Sequence, residues 1–166
     1  MYNVNDLVLY SSYGVCKIAD ITEKDLYGEK VEYYVLKPVN DKKSTYFVPV
    51  NHAASVSKMR HTLTKDEVFD IIQNMPNEDT VWIENDARRK EKYKSVISEC
   101  NPRELVRLIK SAYIHKQNLQ EVGKKVHKVD EDFMKEAENL LYEEFAVVLK
   151  LDKDEVLPFI TSQLKS

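Results

Sequence analysis

The chain has 166 residues, 43% of them hydrophobic and 32% charged, and a net charge of −3. That is length for one domain or two small ones with a core that needs no disulfide or metal, and the balance argues against wholesale disorder. Gly14, Gly28 and Gly123 are too few and too scattered for a Gly-rich phosphate loop, Cys16 and Cys100 lie outside any CxxC, and no apolar run approaches the ~20 residues of a membrane span. The N-terminus carries Asp6 early and no cleavable apolar segment, so the expectation is a soluble, cytoplasmic, reduced protein.

The first sixty residues read as strands. Asp6–Tyr10 is a short apolar run that stops at a turn, Ser11-Ser12-Tyr13-Gly14. Val15–Thr22 alternates, with Val15, Lys17, Ala19 and Ile21 on one side and Cys16, Ile18 and Asp20 on the other. Lys24–Gly28 forms a hairpin turn in which Gly28 supplies a positive φ, and Val31–Lys37 has the β-branched and aromatic composition of a strand. Asn40–Lys43 turns again into Ser44–Val50. Pro49 near the end of that segment marks an edge strand or a strand end, because proline cannot donate to a central ladder. Four or five short strands in this length suggest a small, strongly bent barrel of SH3 or Tudor type.

Beyond His61 the pattern becomes helical. Thr64-Lys65-Asp66-Glu67 is a capping box ahead of Val68, Ile71 and Ile72, and Met75-Pro76-Asn77 ends that helix. Asn85–Ser98 is a charged helix with Tyr93, Val96 and Ile97 as its apolar points. Asn101-Pro102 opens the next, whose face runs through Leu105, Leu108, Ile109 and Ala112. Asp130 is expected to cap a helix with a wide apolar stripe from Phe133 to Leu149, and Glu155–Leu164 forms a last short helix. The fold class is α+β: a β-barrel over residues 1–60, then an all-helical domain over 61–166.

Charge is segregated along this order. Residues 1–60 carry eight Lys/Arg against seven Asp/Glu, and 61–85 carry one against six. Residues 86–128 carry twelve against five, and 129–166 carry four against ten. A single basic island therefore lies between acidic stretches, either as a helical surface that pairs its charges internally or as a local polyanion site. In the second case the chain would bind DNA weakly alone and need a partner to deliver it.

Chemistry-bearing constellations are sparse. His52, His61, His115 and His127 stand singly, Cys16 reads as core, and Cys100, although just ahead of a helix, lacks a recognisable histidine partner. No enzyme activity, metal or other cofactor is expected. The feature that stands out is Val81-Trp82-Ile83, which carries the only tryptophan, followed by Arg88-Arg89-Lys90-Glu91-Lys92. Trp82 either plugs a junction or meets a base step beside phosphate-binding cations, as minor-groove wedges and single-strand binders do. Lys124 and Lys125 form a second, loop-like cluster that could reach a phosphate.

The order DLVLYSSYGVCKIADI, GEKVEYYVLK and a VP-containing strand resembles the CarD/CdnL-like bacterial transcription regulators, whose first module is shared with transcription-repair coupling factor. RR-x-x-x-Y, a Leu/Ile-rich helix and DEDFMKEAENLLYEEFAVVL extend the resemblance to about residue 150. The resemblance implies docking on the RNA polymerase β subunit by strand addition, here through Tyr46, Phe47, Val48 and Pro49. It further implies that Trp82, Arg88, Arg89 and Lys92 contact promoter DNA at the upstream fork of the transcription bubble, with Lys124 and Lys125 as further phosphate contacts. The contacts would not read sequence, and they would stabilise the open complex. Two positions depart from the family pattern. Phe47 stands where many members carry a basic residue, and Asp86 stands where the usual tryptophan precedes the Arg-Arg pair. The expectation is a monomer that associates with the nucleoid through polymerase and does not bind membranes. The alternative is a protein-interaction adaptor whose helices hold another protein rather than DNA.

Overall fold

Strands and turns alternate up to residue 62, and helices and short connections make up the rest. The computed structural model describes residues 1–165, and the chain divides into two units, Met1–Thr62 and the remainder from Leu63. In the first, β1 (Leu7–Tyr10), β2 (Val15–Leu26), β3 (Glu29–Pro38), β4 (Tyr46–Pro49) and β5 (Met59–His61) form one antiparallel sheet. Its order is β4-β3-β2-β1-β5. A short helix, α1 (Ala53–Val56), lies between β4 and β5.

The sheet curls around a single apolar cluster. Val48 of β4 and Met59 of β5, from opposite ends of the row, share that cluster with Val8, Cys16, Ile18, Tyr34 and Leu36. Tyr2 closes the curl: its ring meets Tyr34 of β3 at 5.7 Å, and its hydroxyl donates to the Met59 carbonyl of β5 at 3.1 Å. The simple alternation expected for β2 does not hold through its length. The β2–β3 register shifts between Ile18 and Asp20, so Ala19 is an extra residue. A bulge of this kind reverses the facing of everything after it. Ile21, expected opposite Ile18, therefore packs against the same cluster. The hairpin turn is tighter than the sequence suggests. It comprises Tyr27 and Gly28 alone, with φ of 54° and 85°, the two positive values of a turn that matches strand twist.

The second unit holds α2 (Lys65–Asn74), α3 (Asp86–Glu99), α4 (Pro102–Glu121), α5 (Lys128–Leu149) and α6 (Lys153–Lys165). Three helix starts follow their capping residues. Thr64 Oγ1 accepts from the Glu67 N–H (3.1 Å), Asn85 Oδ1 from Arg88 N–H (3.0 Å), and Asn101 Oδ1 from the Arg103 and Glu104 N–H groups (3.0 and 3.3 Å). The buried face of α4 runs through Leu105, Val106, Leu108 and Ala112, with Val106 in place of the expected Ile109. The last helix starts two residues before the expected Glu155 and carries Pro158 inside it. Among the described residues no helix is long and apolar enough to cross a membrane.

Candidate functional site

The edge of the sheet at β4 is defined by backbone geometry. Residues pair Tyr33↔Pro49, Tyr34↔Val48, Val35↔Phe47 and Leu36↔Tyr46, and the Val50 N–H donates to the Glu32 carbonyl at 3.0 Å. Antiparallel pairs alternate between hydrogen-bonded and non-hydrogen-bonded. Val48 and Tyr46 therefore spend their main-chain groups on β3, while Phe47 and Pro49 turn theirs outward, where the Pro49 carbonyl accepts from the His52 N–H at 3.2 Å. Pro49 thus sits where its missing N–H costs the ladder nothing. On the exposed face the Phe47 ring is 45% exposed, edge-on to Tyr33, with Lys24 Nζ 3.7 Å above its centroid. By the same alternation Met59 and His61 face outward at the β5 end, because the Thr62 and Ser11 N–H groups donate to the Leu7 and Lys58 carbonyls. There the Met59 carbonyl is already taken by Tyr2.

In the helical unit the residues singled out from sequence separate into an inner and an outer set. Arg88 and Arg89, adjacent in sequence, face opposite ways: Arg88 is exposed and Arg89 only 7% exposed. The buried guanidinium uses every donor it has. Nε and Nη2 donate to the two Asp130 carboxylate oxygens (2.8 and 3.1 Å), and Nη2 also to Asp86 Oδ1 (2.9 Å). Nη1 donates to the Ile83 and Glu84 carbonyls (2.9 and 3.5 Å). Asp130, 3% exposed, also accepts from the Tyr93 hydroxyl at 2.8 Å. Asp130 is therefore not the helix cap that its position suggested. The N-cap of α5 is His127, and Asp130 lies in the first turn with its carboxylate turned inward to α3.

Trp82 belongs to this inner set. The His115 ring stacks on it at 3.6 Å and 12°, and the Arg89 guanidinium carbon lies 4.4 Å from its centroid. A ring stacked that closely leaves no room for a guanidinium on the same face, so the indole is sandwiched between the two. A desolvated cation–π contact is worth about 2 kcal/mol and an aromatic stack about 1 kcal/mol, which together hold Trp82 in place. His115 was one of four isolated histidines in the sequence. Nothing local marks it as the partner of a residue 33 positions earlier.

The outer set is cationic. Arg88, Lys90 and Lys92 are exposed on α3, and Lys124 and Lys125 are exposed in the connection between α4 and α5. Arg88, Lys92, Lys124 and Lys125 make no ion pair among the described residues, whereas Lys94 is paired with Glu91 at 3.7 Å. Lys92, Arg89, Tyr93 and Trp82 line one cleft of about 420 Å3. Lys90 and His127 line a second, which joins the first turn of α3 to the start of α5. Other cations of the basic island are neutralised within the unit: Arg103 pairs with Asp70 and Glu78, and Arg107 with Glu78 and Glu104. The hydrogen bond from Arg107 holds the Glu78 carboxyl below its ordinary pKa. Cys100 is 1% exposed at the end of α3, and no group of three His, Cys, Asp or Glu among the described residues could hold a metal ion.

Burial, with the bond donated to Asp130, raises the Tyr93 pKa above its ordinary value, and burial pushes Tyr142 up to about 12. Unfolded tyrosines ionise near 10, so above that pH the unfolded chain releases protons that the folded chain retains. Stability is therefore constant in this respect below about pH 10 and falls as pH rises beyond it. Urea titrations at pH 9, 10 and 11 should show this decline, and Tyr93→Phe should make it shallower.

The β module thus ends on a strand whose Phe47 N–H and carbonyl face outward, and the helical unit carries exposed cations with no ion pair among the described residues. Residues 2–60 match the family model of the CarD-like/TRCF RID domain, the RNA polymerase-interacting domain, and the N-terminal unit is a domain of that family. The match ends at residue 60, ahead of the helical unit. No curated protein matches the chain.

Proposed function

We propose that this chain is a non-enzymatic transcription regulator. Its β module docks on the RNA polymerase β subunit by accepting a strand at β4, and its helical unit holds promoter DNA near the upstream fork of the bubble. The observation that carries the reading is the RID domain with the outward-facing N–H and carbonyl of Phe47 on its end strand β4. Strand addition draws affinity from backbone hydrogen bonds and selectivity from alternate side chains. Tethering then raises the local concentration of the helices at the promoter, so a weak DNA contact suffices. Arg88, Lys92, Lys124 and Lys125 supply that contact as phosphate-binding cations, without reading base sequence. Arg89 acts from within, holding Trp82 and the first turn of α5 in place beside them. Slowing bubble collapse would favour promoters limited by that step. The protein would act as a monomer in the cytoplasm, associated with the nucleoid through polymerase.

Loss of two phosphate contacts should flatten the salt dependence of DNA binding by about two units of log–log slope. Arg88→Ala with Lys92→Ala should show this in titrations of the full chain against promoter DNA at several salt concentrations, with polymerase affinity unchanged. Equal loss of polymerase binding would contradict the division of labour. DNA affinity insensitive to salt would favour the adaptor reading.

A further inference from the structure

We infer that the tip of the β2–β3 hairpin, with Tyr27 as its anchor, is a second contact of the β module with RNA polymerase, an inference that rests on the docking reading proposed above. Among the described residues β4 and the residue after it cover β3 no further than Glu32, to whose carbonyl Val50 donates. On the other side, β1 and the residues before it cover β2 no further than Ile18. The hairpin continues past both, pairing Glu23↔Glu32, Lys24↔Val31, Asp25↔Lys30 and Leu26↔Glu29. Every residue from Glu23 to Lys30 is exposed. The sheet therefore ends in a solvated two-stranded arm.

The turn that closes this arm departs from local preference. Two consecutive positive φ values favour Asn-Gly or Asp-Gly. Gly28 fits, and its N–H donates to Asp25 Oδ1 at 3.1 Å, but the other place is taken by Tyr27. A bulky side chain on left-handed backbone is strained. Tyr27 is fully exposed, so no contact within the chain offsets that strain, and Leu26 beside it is 43% exposed. A local rule broken without a gain in the folded chain marks a functional position, and tyrosine is a frequent interface anchor.

Two observations assign the partner. First, β4 alone is a small docking surface: it has four residues, and only Phe47 presents both an N–H and a carbonyl outward. A stable interface takes about 800 Å2 from each partner, so more of the module must be covered. Second, the tip is continuous with that edge. Leu26 lies on the face that carries Lys24, Val31, Tyr33 and Phe47; the Tyr33 and Phe47 rings meet at 6.3 Å, and Lys24 Nζ stands over Phe47. The run of β3 from Val35, opposite Phe47, to Glu29 spans about 20 Å at about 3.3 Å per residue, which is within one interface of ordinary size.

The test titrates the full chain and its variants against purified RNA polymerase and melts each one. Tyr27→Asn restores a preferred turn residue, so it should melt at or above the parent. Its affinity for polymerase should nevertheless fall about tenfold, as on loss of an interface aromatic. A merely structural tyrosine would move both readings down together. Unchanged affinity in Tyr27→Asn beside a loss in Phe47→Asp would overturn the tip contact and leave the β4 reading standing. A drop in melting temperature that accompanies the loss of affinity would overturn it as well. Undiminished binding by Phe47→Asp would overturn the β4 reading and, with it, the continuity on which this inference rests.

Discussion

Phe47→Asp lowers the affinity of the full chain for RNA polymerase by at least about thirtyfold, the loss expected for a residue at the centre of an interface. Phe47 combines both elements of strand addition. Its main-chain N–H and carbonyl face away from β3, and its ring stands on the exposed face between Tyr33 and Lys24. Aspartate would place a charge where an added strand must exclude water, and a buried unpaired charge is costly. The sheet itself should tolerate it, since the new carboxylate would lie in solvent near Lys24. Phe47→Pro separates the two elements. It removes the outward N–H without breaking a bond to β3, and should cost about five- to tenfold, as loss of one hydrogen bond at a desolvated edge does. A pull-down with purified polymerase, backed by unchanged melting curves, checks both. Undiminished binding by both variants would move the interface away from β4.

Asp130→Ala destabilises the helical unit by about 3 kcal/mol, because it leaves a buried guanidinium with only the solvent-exposed Asp86 as counter-charge. The same change removes the acceptor of the Tyr93 hydroxyl, and it loosens the hold of α3 on α5. The size of the effect reflects the poorly compensated Arg89 rather than the worth of the pair. Replacing both members together, Arg89→Met with Asp130→Leu, should therefore recover much of the loss. Urea denaturation followed by far-ultraviolet circular dichroism and by Trp82 emission measures both quantities. Trp82 should shift to a more solvated emission in the double variant even where stability returns, since Arg89 covers one face of the indole. A cost below about 1 kcal/mol for Asp130→Ala would mean that the network behaves as a solvated surface pair.

The parts of this molecule governed by neighbours in sequence were legible there. Thr64, Asn85 and Asn101 cap the helices they precede, because a short polar side chain and an orphan N–H two or three residues on are a local arrangement. Pro49 marked an edge strand for a similarly local reason, its missing donor, and β4 stands at an end of the sheet. The parts that depend on distant partners were not legible. A bulge at Ala19 is fixed by pairing with β3, and strict alternation placed Ile21 on the wrong face. Asp130 in the first turn of a helix has the appearance of a cap, and only its Arg89 partner, 41 residues away, shows it to be an interior counter-ion. The resemblance implied a shared role for Arg88 and Arg89, but helical geometry sends one outward and the other into the Trp82 sandwich.

In the proposed function one unit anchors the chain on polymerase while the other holds DNA. The lifetime of open promoter complexes after addition of a polyanion competitor tests it most directly, compared for polymerase alone, with the full chain, with Phe47→Asp and with Arg88→Ala plus Lys92→Ala. The full chain should lengthen the lifetime. Both variants should lose that effect, the first because it no longer binds polymerase and the second while still bound. An unchanged lifetime with the unaltered chain bound to polymerase, or a lengthening that survives loss of the cations, would contradict it.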